Sequence, residues 1–310
     1  MKVGIVGAGS VGASSAFAMT LRRVATEIVL VDPDEVRAEA EAADIAHATP
    51  FTARVRVTSG DLDALTGARL VVIAAGRNQR PGESRLDLID GNAAVIREVV
   101  PAILRVTPDA IVVIATNPVD PMTQLAQGLA AGVGHDERRV FGTGTTLDTA
   151  RFRHAVARYL GVDAQHVHGY VVGEHGDSEV LAWSSLDVAG RPIGELADAL
   201  GVSLTDADRE DIEEEVVGAA QRIIAGKGVT AFGIAAALSR IAEVVLRDQR
   251  AILTVTASTE AFGCSLSLPR LVSGRGVARE VGLPMSPAEH EALERSATVL
   301  RDTSKHLESG

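Results

Sequence analysis

The chain has 310 residues, a formal net charge of −11 and a single cysteine, Cys264. That length can bury a sizeable core and divides most naturally into two domains. The negative charge argues against nucleic acid or an anionic membrane as partner, and one cysteine excludes a disulfide framework within the chain and suits a reducing compartment such as the cytoplasm.

The run Lys2-Val3-Gly4-Ile5-Val6 reads as a strand that begins at once, leaving no room for a signal peptide. Further strands are expected at 27–31, 54–58, 69–75 and 110–115. Several are near-continuous apolar runs, as in parallel strands covered on both faces. Alanine-rich helical segments lie between them near 10–22, 34–48, 86–106 and 120–131. This alternation predicts an α/β fold with a Rossmann-type, doubly wound parallel sheet.

The pattern changes after about residue 142, so the domains are expected at 1–142 and 143–310, the second of α+β type. It should contain a helix near 146–160, strands near 166–173 and 186–189, a charged helix near 205–226 and strands at 250–257 and 266–272. The stretch 228–246 is the most apolar long one, but Arg240 and Glu243 interrupt it, which argues against a membrane span. A final helix opens on a capping box, with Ser286 as N-cap and Glu289 three residues on, and Leu293, Leu300 and Leu307 recur along one stripe. The chain has no His-Glu-x-x-His and no cysteine cluster, so no metal site is expected. Gly226-Lys227 is followed by Gly228 rather than Ser or Thr, so there is no P-loop.

Gly7-Ala8-Gly9-Ser10-Val11-Gly12 lies between the first strand and the first helix, and Asp32 ends the second strand. Gly7 permits a tight turn, Gly9 lets the backbone approach a pyrophosphate, and Gly12 lets helix and strand pack closely. The helix N-terminus supplies free N–H groups and partial positive charge. Asp32 is placed to accept hydrogen bonds from ribose hydroxyls and to repel a 2′-phosphate, which selects NAD over NADP; FAD is a competing ligand.

The polar loop 76–85, with Arg77, Arg80 and Arg85, follows the fourth strand at the sheet edge where open α/β sheets bind ligands. It reads either as an exposed basic turn or as a lid that closes on substrate. Asn117 precedes Pro118 at the end of the next strand, which disfavours helix and holds its amide at that edge. Asp148 and Arg151 sit three apart on a helix and share a face, and His175 lies in Gly-Glu-His-Gly-Asp. An imidazole is suited to shuttle a proton near neutral pH, and a guanidinium to grip a carboxylate by two parallel hydrogen bonds. With a bound nicotinamide, this trio predicts an oxidoreductase acting on a 2-hydroxy acid.

On four segments the chain resembles the L-lactate/malate dehydrogenase family, and within it the bacterial L-lactate members. They are the glycine turn at 7–12, Asn-Gln-Arg-Pro-Gly-Glu-Ser-Arg at 78–85, Leu-Asp-Thr-Ala-Arg-Phe-Arg at 147–153 and Gly-Glu-His-Gly-Asp-Ser-Glu at 173–179. The resemblance runs from residue 2 to about 307. It implies that His175 exchanges a proton with the substrate oxygen, Asp148 orients it, Arg151 grips the substrate carboxylate and Arg85 polarises the carbonyl. It further implies that Asn117 helps place nicotinamide and substrate, that Thr230 lies beside the substrate, and that Val11 and Ile234 belong to the cofactor site. Gln79 matches a position where the malate members carry an arginine for the second carboxylate of oxaloacetate, so pyruvate and L-lactate are the expected substrates. Arg77 departs from the family, which usually has a small apolar residue there. Arg153 and His168 match positions that bind fructose 1,6-bisphosphate across a subunit interface in many bacterial members. A homotetramer is likewise expected from the resemblance alone.

Overall fold

Apolar runs rich in Val, Ile and Leu become the strands of one large sheet in the computed structural model, which describes residues 1–52, 54–77 and 85–309. Gln79 lies outside the described residues, as does the side chain of Arg85. The elements of the first half are β1 (Lys2–Val6), α1 (Ser10–Leu21), β2 (Glu27–Val31), α2 (Glu35–Ala48), β3 (Arg56–Ser59), β4 (Leu70–Ile73), α3 (Arg85–Val106), β5 (Ile111–Ile114), α4 (Val119–Gly132) and β6 (Val140–Gly142). The second half continues with α5 (Thr146–Leu160), β7 (Val167–His168), β8 (Val171–Val172), β9 (Val180–Leu181), β10 (Asp187–Val188), β11 (Arg191–Pro192), α6 (Ile193–Leu200), α7 (Asp206–Val217), α8 (Ala219–Lys227), α9 (Phe232–Leu246), β12 (Ala251–Thr259), β13 (Cys264–Ser273), β14 (Gly276–Glu280) and α10 (Pro287–Ser309).

Among the described residues the main sheet runs β14-β13-β12-β6-β5-β4-β1-β2-β3. The six strands from β6 to β3 are parallel, and β12 to β14 are antiparallel. Alternate residues of each parallel strand enter different cores, as a period of two requires. Val3, Ile5, Leu70 and Val72 pack under α1, α2 and α9, with Met19, Ile45 and Ile241. Val6, Val71 and Ile73 pack under α3 and α4, with Ile96, Ile103 and Met122. This two-sided burial explains why β4 and β5 are apolar at every position.

The second half departs from its sequence reading in several places, and α6, β9 and β14 have no counterpart in it. The segment 166–173 is two short strands in different sheets, β7 pairing with β10 and β8 with β9. The charged helix over 205–226 breaks at Gly218 into α7 and α8. The strands β12 and β13 form a hairpin that joins the parallel sheet through Thr256 opposite Gly142, so the sheet runs on past residue 142. The apolar stretch after 228 is α9, whose Leu238, Ile241, Val244 and Val245 are buried beneath the sheet, while Glu243 at its end pairs with Arg22, Arg240 and Arg247. Burial under a sheet demands the same composition as a lipid span. No helix among the described residues is long and apolar enough to cross a membrane.

The last helix follows its sequence signals. The Glu289 N–H donates to Ser286 Oγ at 3.2 Å and the Ser286 N–H to Glu289 Oε2 at 2.6 Å. Leu293 and Leu300 seal α10 against β8, β9 and β13, and Leu307 reaches the core beneath α3 and α4. The helix thereby spans both halves, and its Ser296 holds the loop that carries His175.

Candidate active site

β1 feeds straight into the glycine turn. Gly7 has φ +102°, and a Cβ there would lie 2.5 Å from the Ala75 nitrogen. A Cβ on Gly12 would lie 1.8 Å from the Gly7 oxygen, so only glycine lets α1 approach the strand this closely. Gly9 differs: nothing stands within 4 Å of the place its Cβ would take. It is also the N-cap of α1 and gives no side-chain cap, so the first N–H groups of the helix face open space. Asp32 stands beside them, with Oδ2 accepting from the Ala8 N–H at 2.7 Å and Oδ1 from the Asp34 N–H at 2.9 Å. Each oxygen keeps a lone pair. An open backbone cradle at a helix N-terminus next to an immobilised carboxylate fits a dinucleotide's pyrophosphate and ribose. Val11 and Ile234, both partly buried, pack on the core under this edge of the sheet.

Asn92, 2 % exposed, ties together the loops that leave β4 and β5. Its Oδ1 accepts from the Arg77 N–H at 2.9 Å, and its Nδ2 donates to the Asn117 oxygen at 2.7 Å. Asn117 itself is exposed at the sheet edge, before a cis bond to Pro118. Arg77 is accommodated because residue 91 is glycine: a Cβ there would lie 2.5 Å from Arg77 Nε.

Three segments meet around Asp148 in the first turn of α5, whose carboxylate is 2 % exposed. Arg151 Nη1 donates to Asp148 Oδ1 at 2.6 Å, as the i,i+3 spacing requires. His175 Nδ1 donates to Asp148 Oδ2, also at 2.6 Å, which leaves Nε2 as the nitrogen that can face a substrate. The backbone of the His175 loop is anchored as firmly as its ring. The His175 N–H donates to Asp120 Oδ2 at 2.7 Å, the Glu174 N–H to Ser296 Oγ at 2.7 Å, and Gly173 exchanges backbone bonds with Ser267. Arg151 also lines a cavity of about 600 Å³ that α7 and α8 wall on the far side. Thr230, half-buried, lies between α8 and α9.

Known proteins repeat this arrangement over the whole chain. Residues 1–142 match the lactate/malate dehydrogenase NAD-binding domain, and residues 145–309 match the alpha/beta C-terminal domain of the same enzymes. The chain belongs to the lactate/malate dehydrogenase family. It is 51 % identical to an L-lactate dehydrogenase of Chloroherpeton thalassium over 97 % of this chain and 98 % of that one. It is likewise 51 % identical to an L-lactate dehydrogenase of Deinococcus radiodurans over 99 % of each. Among solved structures, a lactate dehydrogenase from a Medee basin deep-sea metagenome library matches with a TM-score of 0.95 at 36 % identity, over 99 % of this chain and 98 % of that one. The minor L-lactate dehydrogenase of Enterococcus mundtii, in a ligand-bound form, matches at 0.93 and 39 %, over 98 % and 97 %. The protein is therefore an NAD-dependent dehydrogenase, and NAD is the dinucleotide that the glycine turn fits.

Electrostatics prepare the dehydrogenase's imidazole. Burial opposes charge on His175, but the Asp148 carboxylate outweighs it, with Asp120 and Glu179 adding, and the pKa rises to about 9. Burial likewise pushes against ionisation of Asp148, yet His175 and Arg151 hold it below its ordinary value. Asp120, buried at the start of α4, is pushed up to about 6 by desolvation, against hydrogen bonds from Thr256 and the His175 backbone. Burial and Asp148 push Glu179 up to about 8. Asp148, His175 and Glu179 each bring one donor atom within 4.8 Å of the others, as metal ligands do. Both Asp148 oxygens, however, are already engaged by Arg151 and His175.

The structure brings together Asp148, Arg151 and His175, as the sequence suggested, and sets beside them Asp120 and Glu179, with Asn92 at the loops after β4 and β5, none of which sequence reasoning singled out. The available signal was a polar or acidic residue on the buried face of an apolar helix for Asn92 and Asp120. Arg153 and His168 stand apart from the trio. Two residues along a helix turn the side chain about 200°, so Arg153 faces away from Arg151. It donates from Nε to the Gly169 oxygen at 3.0 Å and lies 5.3 Å from the Tyr170 ring centroid. His168 is exposed on β7.

These shifts link the site to stability. Because folding raises the pKa of His175 above the ordinary value near 6.5, the stability it contributes is full below about pH 6.5 and is lost as pH rises through about 9. Glu179 and Asp120 carry the same sign, whereas carboxylates held low, such as Glu243 and Glu289, act only on the acid side. The melting temperature of the cofactor-free protein should fall between about pH 6.5 and about pH 9. Asp148→Asn should flatten that fall, and a parallel slope in the variant would contradict the assignment.

Proposed function

We propose that this dehydrogenase interconverts L-lactate and pyruvate. The observation that carries the reading is the single buried carboxylate of Asp148 shared between an imidazole and a guanidinium. Bound NAD supplies the acceptor for the hydride that leaves C2 of lactate, and the overall change is L-lactate plus NAD⁺ to pyruvate, NADH and a proton. His175, oriented by Asp148, takes the hydroxyl proton in oxidation and returns it to the oxygen in reduction. Arg151 grips the substrate carboxylate with its planar fork, and Arg85 polarises the carbonyl as charge develops on its oxygen. Asn117 and Thr230 bound the substrate, while Gly7, Gly9, Val11, Gly12, Asp32 and Ile234 form the cofactor site. Residues 1–142 thus supply most of the cofactor site together with Gln79, Arg85 and Asn117 toward the substrate, and residues 143–310 supply Asp148, Arg151, His175 and Thr230, with Ile234 reaching the cofactor. With a pKa of about 9, His175 is protonated at neutral pH. It is then ready to donate to a 2-oxo acid.

Substrate choice rests on Gln79. An unpaired second carboxylate enclosed in a dry site costs several kcal/mol, or roughly a thousandfold in rate constant. Pyruvate presents a methyl group there instead. A malate or branched 2-hydroxy-acid dehydrogenase is the alternative. NADH oxidation across a panel of 2-oxo acids separates them: pyruvate should lead oxaloacetate by roughly a thousandfold, and Gln79→Arg should narrow that gap sharply. Equal turnover of both acids by the unmutated protein defeats the assignment.

Asp32 should set coenzyme choice. Replacing it with Ser removes a charge that repels a 2′-phosphate, and the NADP to NAD activity ratio should rise roughly tenfold or more. An unchanged ratio would remove Asp32 from the cofactor site.

We further propose a cytoplasmic homotetramer in which Arg153 and His168 of facing subunits bind fructose 1,6-bisphosphate. Cationic groups that repel across an interface would be relieved by a bisphosphate between them. Adding it at slightly acidic pH should lower the apparent KM for pyruvate by roughly fivefold or more, and Arg153→Gln should abolish the response. A KM indifferent to the bisphosphate counts against the effector site alone.

A further inference from the structure

Glu179 lies four residues after His175 and has no task in the reaction just described. One of its oxygens, Oε1, is buried and has no hydrogen-bond partner among the described residues. Its carboxyl stands within 4.8 Å of both the His175 ring nitrogen and the Asp148 carboxylate. The charged groups that face it are Asp148 and Arg151 from α5, and His175 and Asp177 from its own loop. A carboxylate in that place would be a half-buried charge beside another carboxylate, whereas the neutral acid reduces both penalties. The Arg151 guanidinium is the group to which a substrate carboxylate must come.

We propose that Glu179 gates the substrate carboxylate through its own protonation. As the neutral acid it lets the substrate carboxylate approach Arg151; once ionised, it repels that incoming carboxylate. The proposal rests on the 2-hydroxy-acid reading of the site. Burial and the neighbouring Asp148, opposed by His175 and Arg151, push the Glu179 pKa up to about 8, so the gate works within the range where the enzyme can be assayed. Substrate binding then takes up a proton at Glu179 whichever acid binds. His175 behaves differently, because its protonation favours the oxo acid and disfavours the hydroxy acid.

That difference makes the gate measurable. KM and kcat for pyruvate with NADH and for L-lactate with NAD are to be determined at about pH 7 and about pH 9, in the unmutated enzyme and in Glu179→Gln. The apparent affinity of a substrate scales with the fraction of competent protein. The KM ratio of unmutated enzyme to variant should therefore rise over that interval for both acids, about tenfold from the gate alone, and further for L-lactate than for pyruvate, because losing the Glu179 charge also lowers the His175 proton affinity. Glu179→Ala, a second uncharged variant, should give the same rise if the glutamine form folds poorly. A flat ratio overturns the gate. So do ratios that move in opposite directions for the two acids, since these would mean that Glu179 acts only through His175. Absence of turnover with either acid overturns the gate together with the activity it rests on, and is seen before any pH comparison is made.

Discussion

One buried carboxylate, Asp148, holds the site together. Each of its oxygens takes a different cation, the Arg151 guanidinium on one side and the His175 imidazole on the other, both at 2.6 Å. A carboxylate removed from water is tolerable only when paired and hydrogen-bonded on both lone-pair faces. Satisfying it therefore dictates where a helix side chain, Arg151, and a loop side chain 24 residues on, His175, must stand. The same pairing orients the imidazole and raises its proton affinity, so geometry and acid strength have one cause.

The loop bearing His175 could not meet that demand without outside support. Asp120 at the start of α4 holds its backbone and is in turn held by the hydroxyls of Thr256 and Ser267 on the hairpin. Ser296 on α10 takes the Glu174 N–H and also contacts the Ser178 hydroxyl. Both halves of the chain contribute to this shell, and the continuous sheet through β6 and β12 keeps the contributors in register. A rigid polar shell of this kind fixes the imidazole and its loop without help from a ligand. At the other end of the same sheet edge, Asn92 serves the loops after β4 and β5 in a comparable way.

The two faces of α5 separate two tasks. Asp148 and Arg151 look toward His175, while Arg153 turns to the Gly169 carbonyl and the Tyr170 ring. A helix rotates about 100° per residue, so neighbouring arginines serve different surfaces without interfering. Sequence alone places both arginines, and the helical period decides which way each one faces.

Local chemistry was enough to read the parallel strands, the glycine turn, the Asp148–Arg151 pair and the α10 capping box, because each depends on residues close together in the chain. Local pattern does not separate α7 from α8, which part at Gly218 where acidic side chains give way to a mostly uncharged segment, nor does it single out α6 or α9, the latter apolar because it lies under a sheet. Asn92, Asp120 and Glu179 gain their meaning only from partners up to 147 residues away or from burial that no local pattern reports. The sequence by itself determined which side chains could transfer a proton, grip a carboxylate and cradle a dinucleotide, since those capacities belong to the residue types and their spacing. Only the tertiary structure decided how those capacities are tuned. Proton affinities near His175 depend on burial and on charges brought together from α4, α5 and the 173–179 loop, and desolvation does not exist until the chain has folded.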